Sequence, residues 1–216
     1  GRARGRLIQI CNAKNVRITG LTLQNGPGWN VHMIYSEQIV TDHCIFRSED
    51  IWNGDGWDPD SSSGCTIFAC TFYTGDDSVA IKSGKNPEGN EIGRPCSHIR
   101  IFDYICAYGH GITMGSEMSG GIEDVVIWDC DLGNSLYGLE IKGTKKRGAL
   151  CLRYLKNASL RIRIFWEDIW VRTGSTSHAG SLSWRVLTKR GMRSGGLYFA
   201  GFVLAARSFK LSRKFL

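Results

Sequence analysis

The sequence predicts an all-β fold, a parallel β-solenoid, because one segment recurs along the chain and because apolar and polar residues alternate within it. Five segments align when they start at Asn15, Gln38, Gly64, His98 and Asp124, which lie 23 to 34 residues apart. The seventh and ninth positions of the segment are apolar in all five copies. Alternation over so few positions is typical of a strand, whereas a helix repeats its apolar positions at intervals of three and four.

A second short strand is predicted after the first one in four of the five units. These strands cover residues 29–34, 78–83, 111–116 and 137–143. Strands of this length cannot bury an apolar face alone, so each coil has to stack on the preceding one. Leucine-rich repeats are the competing class, but their L-x-x-L-x-L-x-x-N pattern is missing from the sequence.

Three cysteines, Cys44, Cys70 and Cys130, occupy the same position of the repeat, the seventh. We predict that they stack on one another as small buried apolar side chains. Disulfide bonds and metal ligation are the alternatives. No C-x-x-C pair is present, and the cysteine spacing resembles no zinc site.

Charge divides the chain into two parts. Residues 1–148 hold 14 basic and 18 acidic residues, a net charge of −4, whereas residues 149–216 hold 13 and 2, a net charge of +11. We therefore predict a partial β-helix core over 1–148 and a basic tail over 149–216 that does not continue the repeat and is interpreted as not native to the fold. Its two interpretations are a shifted reading frame and an added amphipathic segment.

The net charge of +7 does not identify a nucleic-acid partner, because it comes from the tail alone and no known binding module accompanies it. A membrane span is not expected either, since no apolar run approaches the roughly 20 residues that a spanning helix needs.

Polar residues with the same offset in neighbouring units are predicted to be neighbours in space. Asp76 and His110 both lie 12 residues after the start of their units, and Asp77 lies 13 after. Adjacent coils are about 4.7–4.9 Å apart, so these side chains should meet. Three further residues reach the same entrance to a second strand through longer connections: Asp55, Glu140 and Lys142.

Three of these side chains are carboxylates, Asp55, Asp76 and Asp77, and three neighbouring carboxylates do not all ionise easily. At least one should have a raised pKa and supply a proton, while an ionised pair activates water. Together these are the acid and base of glycosidic bond hydrolysis. The alternative for Asp76 and Asp77 is a solvated turn after Thr74-Gly75.

Four stretches of the sequence resemble the signatures of glycoside hydrolase family 28, the polygalacturonase family, over about residues 6–148. They are Asn53-Gly54-Asp55, Gly75-Asp76-Asp77, Gly109-His110-Gly111 and Ile141-Lys142. The resemblance implies a single-stranded right-handed parallel β-helix, here truncated at its ends. It also implies hydrolysis of α-1,4 bonds to galacturonate in pectin with inversion, and no cofactor or metal.

Carried over by position, Asp76 resembles the general acid, and Asp55 and Asp77 resemble the pair that activates water. His110 is expected to assist the protonation and orientation of the acid, and Lys142 to bind the carboxylate of the sugar. The other positions predicted to bind substrate are Asn53, Gly109, Gly111 and Glu140.

The sequence departs from the family pattern at two positions. Gly54 replaces a threonine, a mild change, and Glu140 replaces an arginine two residues before Lys142. The second change puts a negative charge where a bidentate carboxylate clamp is usual, which favours an exo-acting enzyme or a differently substituted pectic substrate.

Four further side chains lie near the predicted cleft in the sequence. Lys82 and Arg94 are interpreted as solvated surface charges rather than substrate ligands. Trp52 and Trp57 are predicted to flank the cleft, where they either stack on sugar rings or pack in the core.

The first hypothesis is therefore an inverting glycosidase that acts on pectic polysaccharide or oligosaccharide as a monomer. The resemblance suggests an extracellular or periplasmic location, although no signal peptide opens the chain. The alternative is a catalytically impaired β-solenoid that binds carbohydrate or a partner.

Overall fold

The structure is a computed structural model that describes residues 4–144 and the backbone of 161–163, 169–174 and 181–188. In chain order its strands are β1 (Ile8–Cys11), β2 (Lys14–Thr19), β3 (Thr22–Gln24), β4 (Val31–Ile34), β5 (Glu37–Asp42), β6 (Ile45–Ser48), β7 (Trp57–Asp60), β8 (Thr66–Thr74), β9 (Val79–Ile81), β10 (Cys96–Met114), β11 (Ile122–Asp131), β12 (Ser135–Thr144), β13 (Arg161–Arg163), β14 (Ile169–Gly174) and β15 (Ser181–Thr188). One short helix, α1 (Glu88–Ile92), lies between β9 and β10.

The first strands of the five units form one parallel stack, in the predicted register. The third position of the repeat is occupied in successive coils by Arg17, Val40, Thr66, Arg100 and Val126, and each pairs with the next. The parallel β-helix predicted from the repeat is therefore confirmed.

Two bends recur in every coil, at the first and sixth positions of the repeat. The first positions, Asn15, Gln38, Gly64, His98 and Asp124, all have a positive φ. The sixth positions, Gly20, His43, Ala69, Asp103 and Asp129, do so as well. A left-handed residue turns the chain sharply without ending the backbone pairing around it. The repeat is thus a repeat of backbone conformation as much as of apolar side chains.

The core is a set of ladders inside the coils. The rings of Phe46 and Phe72 are stacked with centroids 4.4 Å apart, and Tyr104 continues the ladder at 4.8 Å. Cys44, Cys70 and Cys130 are buried and free, as predicted. Burial raises the pKa of Cys70 and of Cys130 to about 12, so both remain thiols.

The second strands form the other paired face, in the order β1, β4, β7, β9, β10 and β12. One of them, β7, was missed by the sequence analysis, which assigned no second strand to the unit that starts at Gln38. Its sequence, WDPD, contains a proline and no apolar alternation, and all four residues are buried. A strand covered on both faces need not alternate.

Beyond residue 144 the structure describes three strands, and only by their backbone. β13 adds to β11 in parallel, whereas β15 pairs antiparallel with β12 and with β14. The rest of the predicted basic tail, 149–216, lies outside the described residues. Among the described residues no helix is long and apolar enough to span a membrane.

Candidate active site

Backbone hydrogen bonds between neighbouring coils bring the predicted catalytic residues together. The carbonyl of Asp77 accepts from the amide of Gly56, the residue after Asp55, at 3.0 Å. The carbonyl of Asp76 accepts from the amide of His110, also at 3.0 Å. Asp55, the pair Asp76 and Asp77, and His110 therefore lie on three successive coils, as their register predicted.

His110 links the two adjacent aspartates. Its Nδ1 lies 3.1 Å from Asp76 Oδ1 and 3.5 Å from Asp77 Oδ1, and its ring packs against Tyr137. Hydrogen bonds to Asp76 and Asp77 raise the pKa of His110 to about 9, against the opposing effect of burial. The side chain of His110 is therefore a positively charged imidazolium at neutral pH.

Asp77 is the most firmly held of the carboxylates. Lys142 Nζ donates to its Oδ2 at 2.8 Å, and the Thr113 hydroxyl donates to its Oδ1 at 2.7 Å. Burial acts to raise the pKa of Asp77, but His110 and Lys142 outweigh it and hold the pKa well below its usual range. Asp77 is consequently an ionised acceptor.

Lys142 has a second carboxylate beside it. Its Nζ lies 3.9 Å from Oε2 of Glu140, which is buried and in register with Thr113 of the preceding coil. Burial tends to lower the pKa of Lys142, but Asp77 and Glu140 raise it on balance. The ammonium stays charged, and two of its three N–H groups are sufficient for these carboxylates.

Asp55 carries the raised pKa that was predicted for one member of the carboxylate group, whereas the member that resembles the general acid is Asp76. It is 3% exposed, and burial raises its pKa to about 7. The nearby charges of Asp77 and Asp76 act in the same direction, whereas Lys82 opposes them.

Lys82 corrects the sequence interpretation, which took it for a solvated surface charge. It is only 4% exposed, and its Nζ lies 3.5 Å from Asp55 Oδ2, 3.4 Å from Asp58 Oδ1 and 3.5 Å from Glu117 Oε2. Asp58 and Glu117 were not predicted either. The available signal was Asp58-Pro59-Asp60, two acids in a coil that has to be buried. Arg94 instead contacts Glu37 and the ring of Tyr35.

The two tryptophans have different environments. Trp57 is fully buried, and its Nε1 donates to the Thr41 hydroxyl at 3.0 Å. Of its two predicted roles, packing in the core is therefore correct and stacking on a sugar ring is not. Trp52 is 80% exposed beside Asn53. Arg4 donates to the Trp52 carbonyl and, at 2.7 Å, to Asn53 Oδ1.

Gly109 and Gly111 are buried where neighbouring coils approach closely. A Cβ at Gly109 would lie 2.3 Å from Thr74 Oγ1, and one at Gly111 would lie 2.2 Å from the carbonyl oxygen of Gly138. Packing therefore requires glycine on both sides of His110, and their predicted contact with substrate stays a prediction.

The one group of side chains in the described part that offers a metal three donors is Asp76, Asp77 and His110, with donor atoms within 4.8 Å of one another. His110 is protonated there, and Lys142 Nζ already donates a hydrogen bond to Asp77 Oδ2. A cation would have to displace both, so these residues fit proton transfer better than metal binding.

Comparisons with known proteins identify the family to which the chain is similar. A family model, glycosyl hydrolases family 28, matches residues 1–152. The chain is 37% identical over 182 residues to a probable polygalacturonase of Vitis vinifera, which covers 80% of this chain and 36% of that protein. It is also 34% identical over 143 residues to an endo-polygalacturonase of Pectobacterium parmentieri, covering 65% and 33%. The chain thus spans about a third of the length of these relatives.

Two solved structures share the fold. An exopolygalacturonase from Thermotoga maritima matches with a TM-score of 0.65 and 36% identity, covering 67% of this chain and 33% of that one. A family 28 exopolygalacturonase from Yersinia enterocolitica matches with a TM-score of 0.52 and 26% identity, covering 62% and 24%.

Proposed function

The chain belongs to glycoside hydrolase family 28, and from this membership we propose that it hydrolyses glycosidic bonds to galacturonate in pectic polymers or oligomers, with inversion. The observation that carries the proposal is that Asp55, the pair Asp76 and Asp77, and His110 lie on three successive coils, with His110 in contact with both members of the pair. An acid and a base on opposite sides of a sugar ring are what inverting hydrolysis needs.

Asp76 is proposed as the general acid. It is the partly exposed member of the group, so it can reach the oxygen of the leaving sugar. His110 keeps a proton 3.1 Å from Asp76 Oδ1 and can return it after each transfer.

Asp77 and Asp55 are proposed to activate the attacking water. Asp77 is ionised, because His110 and Lys142 depress its pKa. Asp55, with a pKa of about 7, becomes a base as the pH rises through neutrality. A water hydrogen-bonded to both would transfer its proton to the ionised pair as it attacks the anomeric carbon.

Lys142 is proposed to bind the carboxylate of the galacturonate with its remaining N–H. Glu140 beside it reduces the positive charge available to the substrate compared with the usual arginine. We propose exo action for this reason, and the two solved relatives named above are both exopolygalacturonases.

The test is release of reducing sugar from polygalacturonate by the purified, folded chain. We expect Asp76→Asn to reduce turnover by at least about a hundredfold, as loss of a general acid does. Asp103→Asn is the matched control, because Asp103 is an exposed acid at a bend of the outer surface. Exo action predicts that galacturonate monomer accumulates from the start.

Three outcomes would contradict the proposal. Full turnover in the Asp76→Asn chain removes the proposed acid. Binding of oligogalacturonate without turnover by the folded chain supports the noncatalytic β-solenoid. Inversion at an α-linked bond releases the β-anomer first, so an NMR time course in which the α-anomer forms first contradicts inversion.

A further inference from the structure

A buried cluster beside the proposed catalytic residues contains one ammonium and three carboxyl groups. We call it the Lys82 cluster; its members are Lys82, Asp55, Asp58 and Glu117. The side chain of Lys82 is 5% exposed, and those of Asp55 and Asp58 are 4% and 0% exposed. Trp29 covers the ammonium, with its ring centroid 4.5 Å from Nζ.

Backbone pairing fixes Lys82 in this place. Its amide donates to the carbonyl of Pro59 at 2.8 Å, and its own carbonyl accepts from Ser61 at 3.0 Å. Both partners belong to the preceding coil, which also carries Asp55 and Asp58. The ammonium therefore has little freedom to leave these carboxylates.

The two oxygens of Asp55 have different environments. Oδ2 lies 3.5 Å from Lys82 Nζ, whereas Oδ1 is buried and has no hydrogen-bond donor among the described residues. A buried carboxylate oxygen without a donor is costly unless water or a ligand satisfies it. Oδ1 is thus the oxygen left for the water that Asp55 is proposed to activate.

We propose that Lys82 is a positioning residue for the proposed hydrolysis: by binding Oδ2 of Asp55 it favours the ionised form of this carboxyl group and leaves Oδ1 to the attacking water. The inference rests on the proposed function for its catalytic meaning. The contact between Lys82 and Asp55 does not depend on that function and can be tested separately.

Apart from Lys82, the ionisable groups that act on Asp55 are carboxyl groups. Asp58 approaches from β7, and Asp76 and Asp77 approach from the turn before β9. Burial and the neighbouring Asp55 raise the pKa of Asp58 well above its ordinary value. Lys82 is the one positive charge that acts on Asp55 among those interactions, and its effect in lowering the pKa of Asp55 is larger than that of the hydrogen bond with Asp58.

The decisive measurement is a pH titration of carboxyl ¹³C-labelled aspartate by NMR, in which the Asp55 signal is assigned by its loss in Asp55→Asn. Lys82→Gln keeps a polar side chain but removes the charge. We expect the titration midpoint of Asp55 to move up by at least about one pH unit, since a buried opposite charge shifts a carboxyl pKa by one to three. Lys82→Arg, which retains the charge, should leave the Asp55 midpoint close to that of the wild-type chain.

An unchanged Asp55 midpoint in a folded Lys82→Gln chain overturns the proposal. If that variant does not fold, Glu117→Gln replaces it, because it removes a partner of Lys82 with no change of size. Lys82 then acts on fewer carboxylates, so the Asp55 midpoint should fall, and an unchanged midpoint again overturns the proposal.

The titration separates this inference from the proposed function, because it needs no turnover. If the chain does hydrolyse polygalacturonate, the acidic limb of kcat/KM should move in Lys82→Gln in the same direction as the Asp55 midpoint. If Lys82 were only structural, Lys82→Gln would lower activity by the same factor at every pH. That result would contradict a positioning role.

Discussion

At the scale of single residues, glycines with a positive φ serve two different purposes in this fold. Gly64 has a φ of +67° at the first position of the repeat, where the other coils have Asn15, Gln38, His98 and Asp124. Side chains are evidently accepted there. Gly111 has a φ of +101° at a close approach between coils, where a Cβ would meet a backbone oxygen.

Gly111→Ala is therefore expected to lower the free energy of unfolding by at least about 3 kcal/mol, from backbone strain and from the clash with the Gly138 carbonyl. Gly64→Ala, whose nearest neighbouring atom would be 3.6 Å away, should cost about 1–2 kcal/mol. Urea unfolding of both variants measures the difference. Equal losses would show that the close approach at Gly111 relaxes.

Asp76, Asp77 and His110 could be predicted to meet because they lie at equal or adjacent offsets in a repeat that sets backbone position. Asp55 and Lys142 lie at larger offsets, and their place was predicted from longer connections and from the family resemblance. Lys82 could not be predicted in the same way. A lysine directly after an apolar strand usually reaches solvent, and its burial depends on Asp58 and Asp55, which belong to the coil before it. The sequence contains both partners but no pattern that pairs them.

At the scale of elements, an aromatic stack joins three first strands on the outside of the solenoid. Phe68 and Phe102 have ring centroids 5.0 Å apart at an interplanar angle of 1°, and Phe102 and Trp128 are 4.3 Å apart at 13°. Backbone pairing places the three residues directly opposite one another. Phe102 is thus covered on both faces.

Phe102→Ala should lower the free energy of unfolding by about 2–3 kcal/mol, because two cross-strand aromatic contacts are lost together with buried apolar area. Phe102→Leu keeps much of the apolar area and should lose less. Ile105→Ala is a control on the same strand, since Ile105 is 46% exposed. Thermal unfolding ranks the three, and an equal loss in the Phe102→Ala and Ile105→Ala chains would contradict a role for the stack.

The strands differ in how well their sequence predicts them. First strands could be placed in register because one inward face repeats in every coil. β7 was missed because its outward face is polar and buried: Asp58 faces Lys82, and Asp60 accepts from the amide of Gly84 at 3.0 Å. A period-two pattern assumes one solvated face, and this strand has none.

At the scale of the whole molecule, the proposed active site has an excess of acidic groups. The described residues place six carboxyl groups, Asp55, Asp58, Asp76, Asp77, Glu117 and Glu140, around three cations, Lys82, Lys142 and His110. The formal charge is −3 when all are ionised and −1 when Asp55 and Asp58 are protonated. We therefore expect the proposed substrate, an anionic galacturonate, to bind more tightly below the pKa of Asp55, about 7, than above it.

These groups also couple folding to pH. His110 has a pKa of about 9 when folded and 6.5 as its ordinary value, so it contributes stability below pH 6.5 that is lost as the pH rises through 9. Asp55, with a folded pKa of about 7 against 3.8, binds its proton more tightly when folded and loses that contribution between pH 3.8 and 7. Asp77, whose pKa is lowered, contributes stability above pH 3.8 that is lost in more acidic solution.

The sum predicts that the chain is more stable near pH 5 than near pH 8.5, by a few kcal/mol at most, since one pKa unit corresponds to about 1.4 kcal/mol. Urea unfolding at the two pH values measures this difference. The side chain of residue 55 cannot ionise in Asp55→Asn. This variant should therefore lack the fall in the free energy of unfolding that occurs below pH 7 and keep the part that is due to His110. His110→Gln should do the reverse. A wild-type chain that becomes more stable between pH 5 and 8.5 would contradict the raised pKa of Asp55 and of His110 on which this prediction depends.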